Sequence, residues 1–187
     1  MSTLGSLSAA LSYSGQPVEF GDAALSSVVG YELLIGAIIW LILWKRGWRW
    51  SDFAVHYSVG STILGVALGI AVLAIWYAFE ALVGKVPAVL SASLPWVAAA
   101  SLVNPLFEEL LVLGYIVQAL RKRWGLTTAM NASLAIRLVY HLYQGPMAVI
   151  PIAIFGVVAT LAYVRVGRLW PVIVMHSVLD FVGLTVE

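Results

Sequence analysis

Apolar residues gather along this chain into six runs, at roughly 28–44, 57–83, 95–120, 126–143, 146–164 and 169–186. Each approaches or exceeds the ~17–25 residues that an α-helix needs to cross ~30 Å of hydrocarbon. Short polar breaks separate them, and no repeat or second composition interrupts the pattern. The predicted fold is therefore all-α: a polytopic transmembrane helix bundle of about six spans. Basic residues fall on alternate connections. Lys45, Arg46 and Arg49 follow the first run, Arg121, Lys122 and Arg123 the third, and Arg165 and Arg168 the fifth. Lys85 alone falls in the other connections. The positive-inside rule then puts both termini outside.

The same pattern divides the chain into a polar N-terminal tail (1–27), two accessory transmembrane helices (28–94) and a core (95–187). The tail has no Lys or Arg, so it lacks the charged start of a signal peptide. In the second run, Ser61, Gly65 and Gly69 form a small-residue stripe of the kind that packs membrane helices together. Trp44, Trp48, Trp50, Trp96, Trp124 and Trp170 lie near run ends and read as interfacial anchors. Glu32 and Glu80 read as span-end acids, solvated or paired, and His56 as an interfacial histidine.

Composition agrees. Hydrophobic residues make up 62 % of the chain and charged residues 10 %, with a mean hydropathy of +0.99; soluble domains carry about 25 % charged residues. This is the composition of a multi-pass integral membrane protein, with the lipid bilayer as its constant partner. The net charge of +1 says nothing about partners, and no basic run is long enough to suggest a nucleic-acid partner. With no cysteine, disulfides, thiolate chemistry and Cys-bound zinc are excluded.

Against this background six ionisable side chains need a reason to be inside the bundle: Glu108, Glu109, Arg137, His141, His176 and Asp180. One acidic residue at a helix centre costs roughly 2.5–3.5 kcal/mol on the insertion scale, and two neighbouring acids also repel each other. Residues four apart share a helix face, which pairs Asn104 with Glu108, Arg137 with His141, and His176 with Asp180. Tyr115, seven beyond Glu108, would continue the first face. Three helices thus each turn a polar pair inward. Pro105 removes one backbone hydrogen bond and favours a kink just before the glutamates.

These residues resemble the motifs of the CPBP family of intramembrane proteases, the CAAX prenyl endopeptidases and their bacterial Abi-related members. That family shows Glu-Glu-x-x-x-Arg, then Phe-x-x-x-His, then His-x-x-x-Asn/Asp. Here Glu108–Tyr115 reads E-E-L-L-V-L-G-Y, Arg137–His141 reads R-L-V-Y-H, and Gly167–Asp180 ends in M-H-S-V-L-D. The resemblance spans about residues 95–184. Two positions depart from it: Leu113 stands where the family has Arg, and Arg137 where it has Phe. We expect Arg137 to supply the missing guanidinium to Glu109 from the fourth helix.

The resemblance implies an endopeptidase that cuts a membrane protein or lipidated peptide. Glu108 would act as general base on water, with Glu109 assisting. His141 and His176 would position the water and stabilise the oxyanion, with Asp180 orienting His176. Asn104 and Arg137 would support. The metal-free form of this reading needs no cofactor; a zinc form would use His141, His176 and Glu108. The resemblance also implies a bacterial cell membrane. Two alternatives stand beside it, a non-catalytic relative acting as a membrane binding or immunity protein and a small proton-coupled carrier. One tension is geometric: at ~1.5 Å per residue, His176 would lie shallow, Glu108 mid-depth and His141 near the outer end. Helix tilt, the Pro105 kink or a re-entrant segment around 144–151 would have to bring them together.

Overall fold

The structure is a computed structural model that describes residues 18–84, 88–145 and 148–185. All six apolar runs form helices: α1 (Asp22–Lys45), α2 (Val59–Val83), α3 (Leu94–Glu109), α4 (Gln118–His141), α5 (Val149–Val166) and α6 (Trp170–Gly183). Two three-residue strands, β1 (Val18–Phe20) and β2 (Ala88–Leu90), are the other regular elements outside the helices and 3-10 turns. The fold is all-α. Of the expected 1–27 tail, residues 1–17 lie outside the described residues, as do Lys85 and Pro146.

Four helical stretches are long and apolar enough to cross a membrane, and one of them, Leu94–Gln144, is 51 residues long. That stretch breaks at Gly125 (φ 82°, ψ 165°), a backbone conformation that favours glycine. Beyond the break α4 packs back against the end of the third helix. The stretch therefore supplies two of the six apolar helices, and α6, with 14 residues, is the short one.

α1 starts at Asp22, earlier than hydropathy alone placed it, because polar residues precede its apolar run. A clasp at this end joins α1 to α3. β1 pairs in parallel with β2, Val18 opposite Ala88 and Phe20 opposite Leu90. The Ser93 N–H and hydroxyl donate to the Asp22 carboxylate at 2.5 and 3.0 Å. From there the two helices run parallel. Leu25 and Val29 pack with Val97 and Ala100, and further along a Cβ on Gly36 would meet the Phe107 ring at 3.3 Å.

α2 opens on a capping box in which the Ser58 hydroxyl accepts from the Ser61 N–H and the Ser61 hydroxyl from the Ser58 N–H. It then lies against α6. A Cβ on Gly65 would stand 2.5 Å from the Pro171 carbonyl oxygen, and one on Gly69 would stand 3.0 Å from Val178 Cβ. The small-residue stripe is thus a helix-packing seam.

α3 runs through Pro105 as an α-helix, and the departure from α geometry comes later, as a π-helix over Leu110–Val117. Because a π-helix hydrogen-bonds five residues back, it rotates everything beyond it relative to an α-helix. The expected continuation of the Glu108 face to Tyr115 is corrected here: Tyr115 instead packs edge-on against Trp48, with ring centroids 5.0 Å apart.

Between α1 and α2, a 3-10 turn (Trp50–Phe53) folds under the bundle. Phe53 is buried against Gly114, where a Cβ would lie 2.9 Å from its ring. Trp40, Trp48 and Trp50 surround it. The Ala54 carbonyl accepts from the Leu169 N–H at 3.0 Å. This layer covers the start of α6, whose Leu169, Pro171 and Val172 are fully buried. α6 therefore begins inside the protein.

Candidate active site

Consecutive residues on an α-helix point about 100° apart, and Glu108 and Glu109 divide accordingly. Glu109 points into the bundle and is completely buried, whereas the Glu108 side chain keeps 12 % of its surface exposed. The two carboxylates have different partners.

Glu109 is locked in place. Arg137 Nη2 donates to its Oε2 at 2.7 Å, and His176 Nδ1 lies 2.7 Å from its Oε1. The other ring nitrogen of His176 faces Asp180 Oδ1 at 3.4 Å. Asp180 in turn accepts from the Asn104 amide at 3.0 Å. A chain of polar contacts thus runs from α4 through α3 to α6 and back to α3. Such a buried pair is held by geometry, since removing one partner leaves an uncompensated charge.

Arg137 owes its position to a gap in α5. A Cβ on Gly156 would lie 3.1 Å from Arg137 Cδ and 2.7 Å from Leu134 Cδ1. The guanidinium lies over the Phe155 ring, 4.7 Å from its centroid, and the same ring packs against His176. Leu113, at the family's Arg position, is fully buried in the apolar core with Val117 and Met175.

Glu108 is the accessible carboxylate. Tyr140 donates its hydroxyl to Glu108 Oε2 at 2.6 Å, Arg137 Nη1 lies 3.7 Å away, and His141 Nε2 lies 3.8 Å away. The Gln144 amide donates to His141 Nδ1 at 3.2 Å and to the Tyr143 hydroxyl at 3.1 Å. A ring that accepts at Nδ1 carries its proton on Nε2, turned toward Glu108. His141 is 13 % exposed, close to Glu108, and Asp180 is 22 % exposed. The site therefore has a closed back (Glu109, Arg137, His176) and a partly open front (Glu108, His141, Asp180).

All seven sequence-derived residues meet in this one network. The expected difference in depth does not keep these residues apart: His176 Nδ1 lies 2.7 Å from Glu109 Oε1 and His141 Nε2 3.8 Å from Glu108 Oε2. Described residues near the suggested re-entrant segment, Leu142–Gln144, form a 3-10 turn that presents Gln144 to His141. Sequence reasoning missed Tyr140 and Gly156. Tyr140 sits beside His141 in sequence, and adjacency gives no signal on a helix where neighbours point apart.

Glu32 needs correcting. Its position in the apolar run predicts a span-end acid, solvated or paired. Because α1 starts at Asp22, Glu32 lies well inside the helix; it is 6 % exposed, and its Oε2 is buried with no hydrogen-bond partner.

The set of acids and imidazoles that clusters in the structure differs from the His141, His176 and Glu108 expected for zinc. Among the described residues, the acids and imidazoles whose ligand atoms fall within 4.8 Å of one another are Glu108, Glu109 and His176. His141 stands outside that group. Both Glu109 oxygens are already engaged, and the Arg137 cation reaches both carboxylates. This donor set does not fit a divalent metal, whose charge the guanidinium would oppose.

The α-helical bundle thus buries a Glu–Arg–His lock behind a partly exposed glutamate. The profile of the family described as type II CAAX prenyl endopeptidase Rce1-like matches residues 90–182, and the chain belongs to this CAAX protease family. No curated protein and no solved structure matches it. The family is one of peptidases. The match begins just before α3 and takes in all the site residues named above except Glu32.

Proposed function

We propose that this protein is an intramembrane endopeptidase in which Glu108 activates water for attack on a peptide bond of a membrane-associated protein or lipidated peptide. The observation that carries the reading is the division of labour between adjacent carboxylates. Glu109 is bound on both oxygens, while Glu108 faces the open side with an imidazole N–H and a phenol beside it.

Glu108 takes a proton from water as the water oxygen attacks the carbonyl carbon. The charge that develops on the carbonyl oxygen is met by His141 Nε2 on the same side, and by the Tyr140 hydroxyl as it turns from Glu108 Oε2 once that carboxylate has taken the proton, in a water-poor site where such donors act strongly. The C–N bond then breaks, and Glu108 returns the proton to the leaving amine. Glu109, Arg137 and His176 fix the backbone and side-chain geometry of α3 behind the base, and Asp180 and Asn104 hold His176. This differs from the sequence expectation for His176, which now orients through Glu109. The reading is metal-free, supported by the poor fit of the donor set.

The test is purified protein in lipid nanodiscs, challenged with a library of membrane peptides that includes farnesylated CAAX termini. Wild type is expected to cleave a subset, and Glu108→Gln to cleave none while folding normally. Equal cleavage by the two proteins overturns the reading, and so does transport without any cleavage.

A further inference from the structure

The site described so far uses α3, α4 and α6. α1 also contributes a carboxyl group, and the mechanism leaves it unused. Glu32 lies between Val29, which packs with Val97 and Ala100, and Gly36, which faces Phe107. Parallel packing therefore sets Glu32 at the level of Val103 and Asn104, one turn from Glu108. Asn104 at that level donates to Asp180 on α6, and Glu32 is only 6 % exposed, so its side chain is turned into the protein. Glu108 and Asp180 border the open front of the site, so Glu32 stands on its α1 side, beside Asn104.

Its isolation is the second observation. The buried side-chain atoms without a hydrogen-bond partner among the described residues are Glu32 Oε2, the hydroxyls of Ser101 and Ser133, and two nitrogens of Arg137. Glu32 is the one carboxyl among them. A buried polar atom left unpaired costs about 1–3 kcal/mol, and replacing it with an apolar group of similar size removes that cost. A carboxyl oxygen left unpaired at the edge of a site is ready to accept a hydrogen bond from something that enters.

A peptide cut inside a membrane brings its own need. The segment to be hydrolysed must be extended, and its freed backbone N–H groups have no water to satisfy them in the hydrocarbon. We propose that Glu32 is a substrate-positioning residue that accepts a hydrogen bond from a backbone N–H of the bound peptide, beside the bond presented to Glu108. This rests on the peptidase reading and extends it to a helix outside the family match.

The experiment uses the full chain in nanodiscs and a dye-labelled farnesylated peptide with a CAAX terminus, made with amides and, one position at a time, with backbone esters that lack the N–H. Binding is measured on the Glu108→Gln protein with and without Glu32→Leu, cleavage on wild type and Glu32→Leu, and thermal stability on all of them. Glu32→Leu should unfold at the same or a higher temperature and bind the amide peptide about tenfold more weakly, in line with the loss of a hydrogen bond to a carboxyl. One ester position should weaken binding in the parent and have no further effect in Glu32→Leu. Glu32→Gln, which keeps an acceptor, should restore most of the affinity.

The proposal is overturned if Glu32→Leu binds the amide peptide as the parent does, if ester effects are the same in both, or if the substitution lowers stability without changing affinity. Binding that depends on Glu32 in a protein that never cleaves would uphold the contact and remove the peptidase reading. Cleavage indifferent to Glu32 would do the reverse. Absence of both binding and cleavage would remove both.

Discussion

Arg137 Nη2 donates to Glu109 Oε2 across 2.7 Å, joining α4 to α3 between two side chains that are almost wholly buried. The family motif places an Arg one turn after this glutamate, where this chain has Leu113. The cation here comes from another helix. Arg137→Leu should destabilise the protein by about 3–5 kcal/mol, the usual cost of stripping one partner from a buried pair. Adding Leu113→Arg to that variant should recover part of the loss. Thermal unfolding in nanodiscs reads both; no recovery would mean that position 113 cannot reach Glu109 in this fold.

The two glutamates should respond differently to the same change. Glu108→Gln keeps the Tyr140 contact, so stability should stay within about 1 kcal/mol while cleavage falls by ~10²–10⁴-fold, the range of general-base catalysis. Glu109→Gln loses charge opposite both Arg137 and His176, and unfolding temperature should drop along with cleavage. Parallel measurement of melting and turnover separates the accessible carboxylate from the locked one.

Tyr140→Phe deletes one hydroxyl, 2.6 Å from Glu108 Oε2, and nothing else. Turnover should fall by about tenfold or more if that hydroxyl stabilises charge in the reaction, with KM little changed. A change confined to KM would assign Tyr140 to peptide binding instead.

Two glycines should be intolerant for reasons that a third does not share. A Cβ on Gly65 would stand 2.5 Å from a backbone oxygen of Pro171, and one on Gly156 would press on Leu134 and Arg137, whereas one on Gly60 would meet nothing within 4 Å. Gly65→Ala and Gly156→Ala should each cost about 1–3 kcal/mol as overpacked sites, and Gly60→Ala should be neutral. Gly156→Ala should also reduce cleavage, because it displaces Arg137.

Metal analysis of the purified protein should find less than one equivalent of zinc, and chelator treatment should leave cleavage unchanged. Stoichiometric zinc together with loss of activity on chelation would restore the metal form and require Glu109 to give up one of its present partners.

Much of this protein can be read along the chain. The six apolar runs specify helices because only a helix satisfies its own backbone hydrogen bonds in lipid. Four-residue spacing specifies that Asn104 and Glu108, Arg137 and His141, and His176 and Asp180 share faces, since that relation is fixed within one helix. Even the exchange of Leu113 and Arg137 against the family pattern points to a relocated charge. Periodicity stops at the limits of each helix. It does not say where α1 begins, which is why Glu32 was assigned to a span end; nor does it register the π-helix over Leu110–Val117, which turns Tyr115 away toward Trp48. Which side chains meet across helices depends on rotation, depth and closeness of approach. Those are decided by Gly65 against Pro171, Gly156 against Arg137, and the Ala54–Leu169 hydrogen bond that ties the Trp50–Phe53 turn to the start of α6. Sequence determined which ionisable residues the helices carry, and only the packing of the helices decided that Glu109 is held on both oxygens, Glu108 stays partly exposed, and Glu32 Oε2 is buried without a hydrogen-bond partner among the described residues.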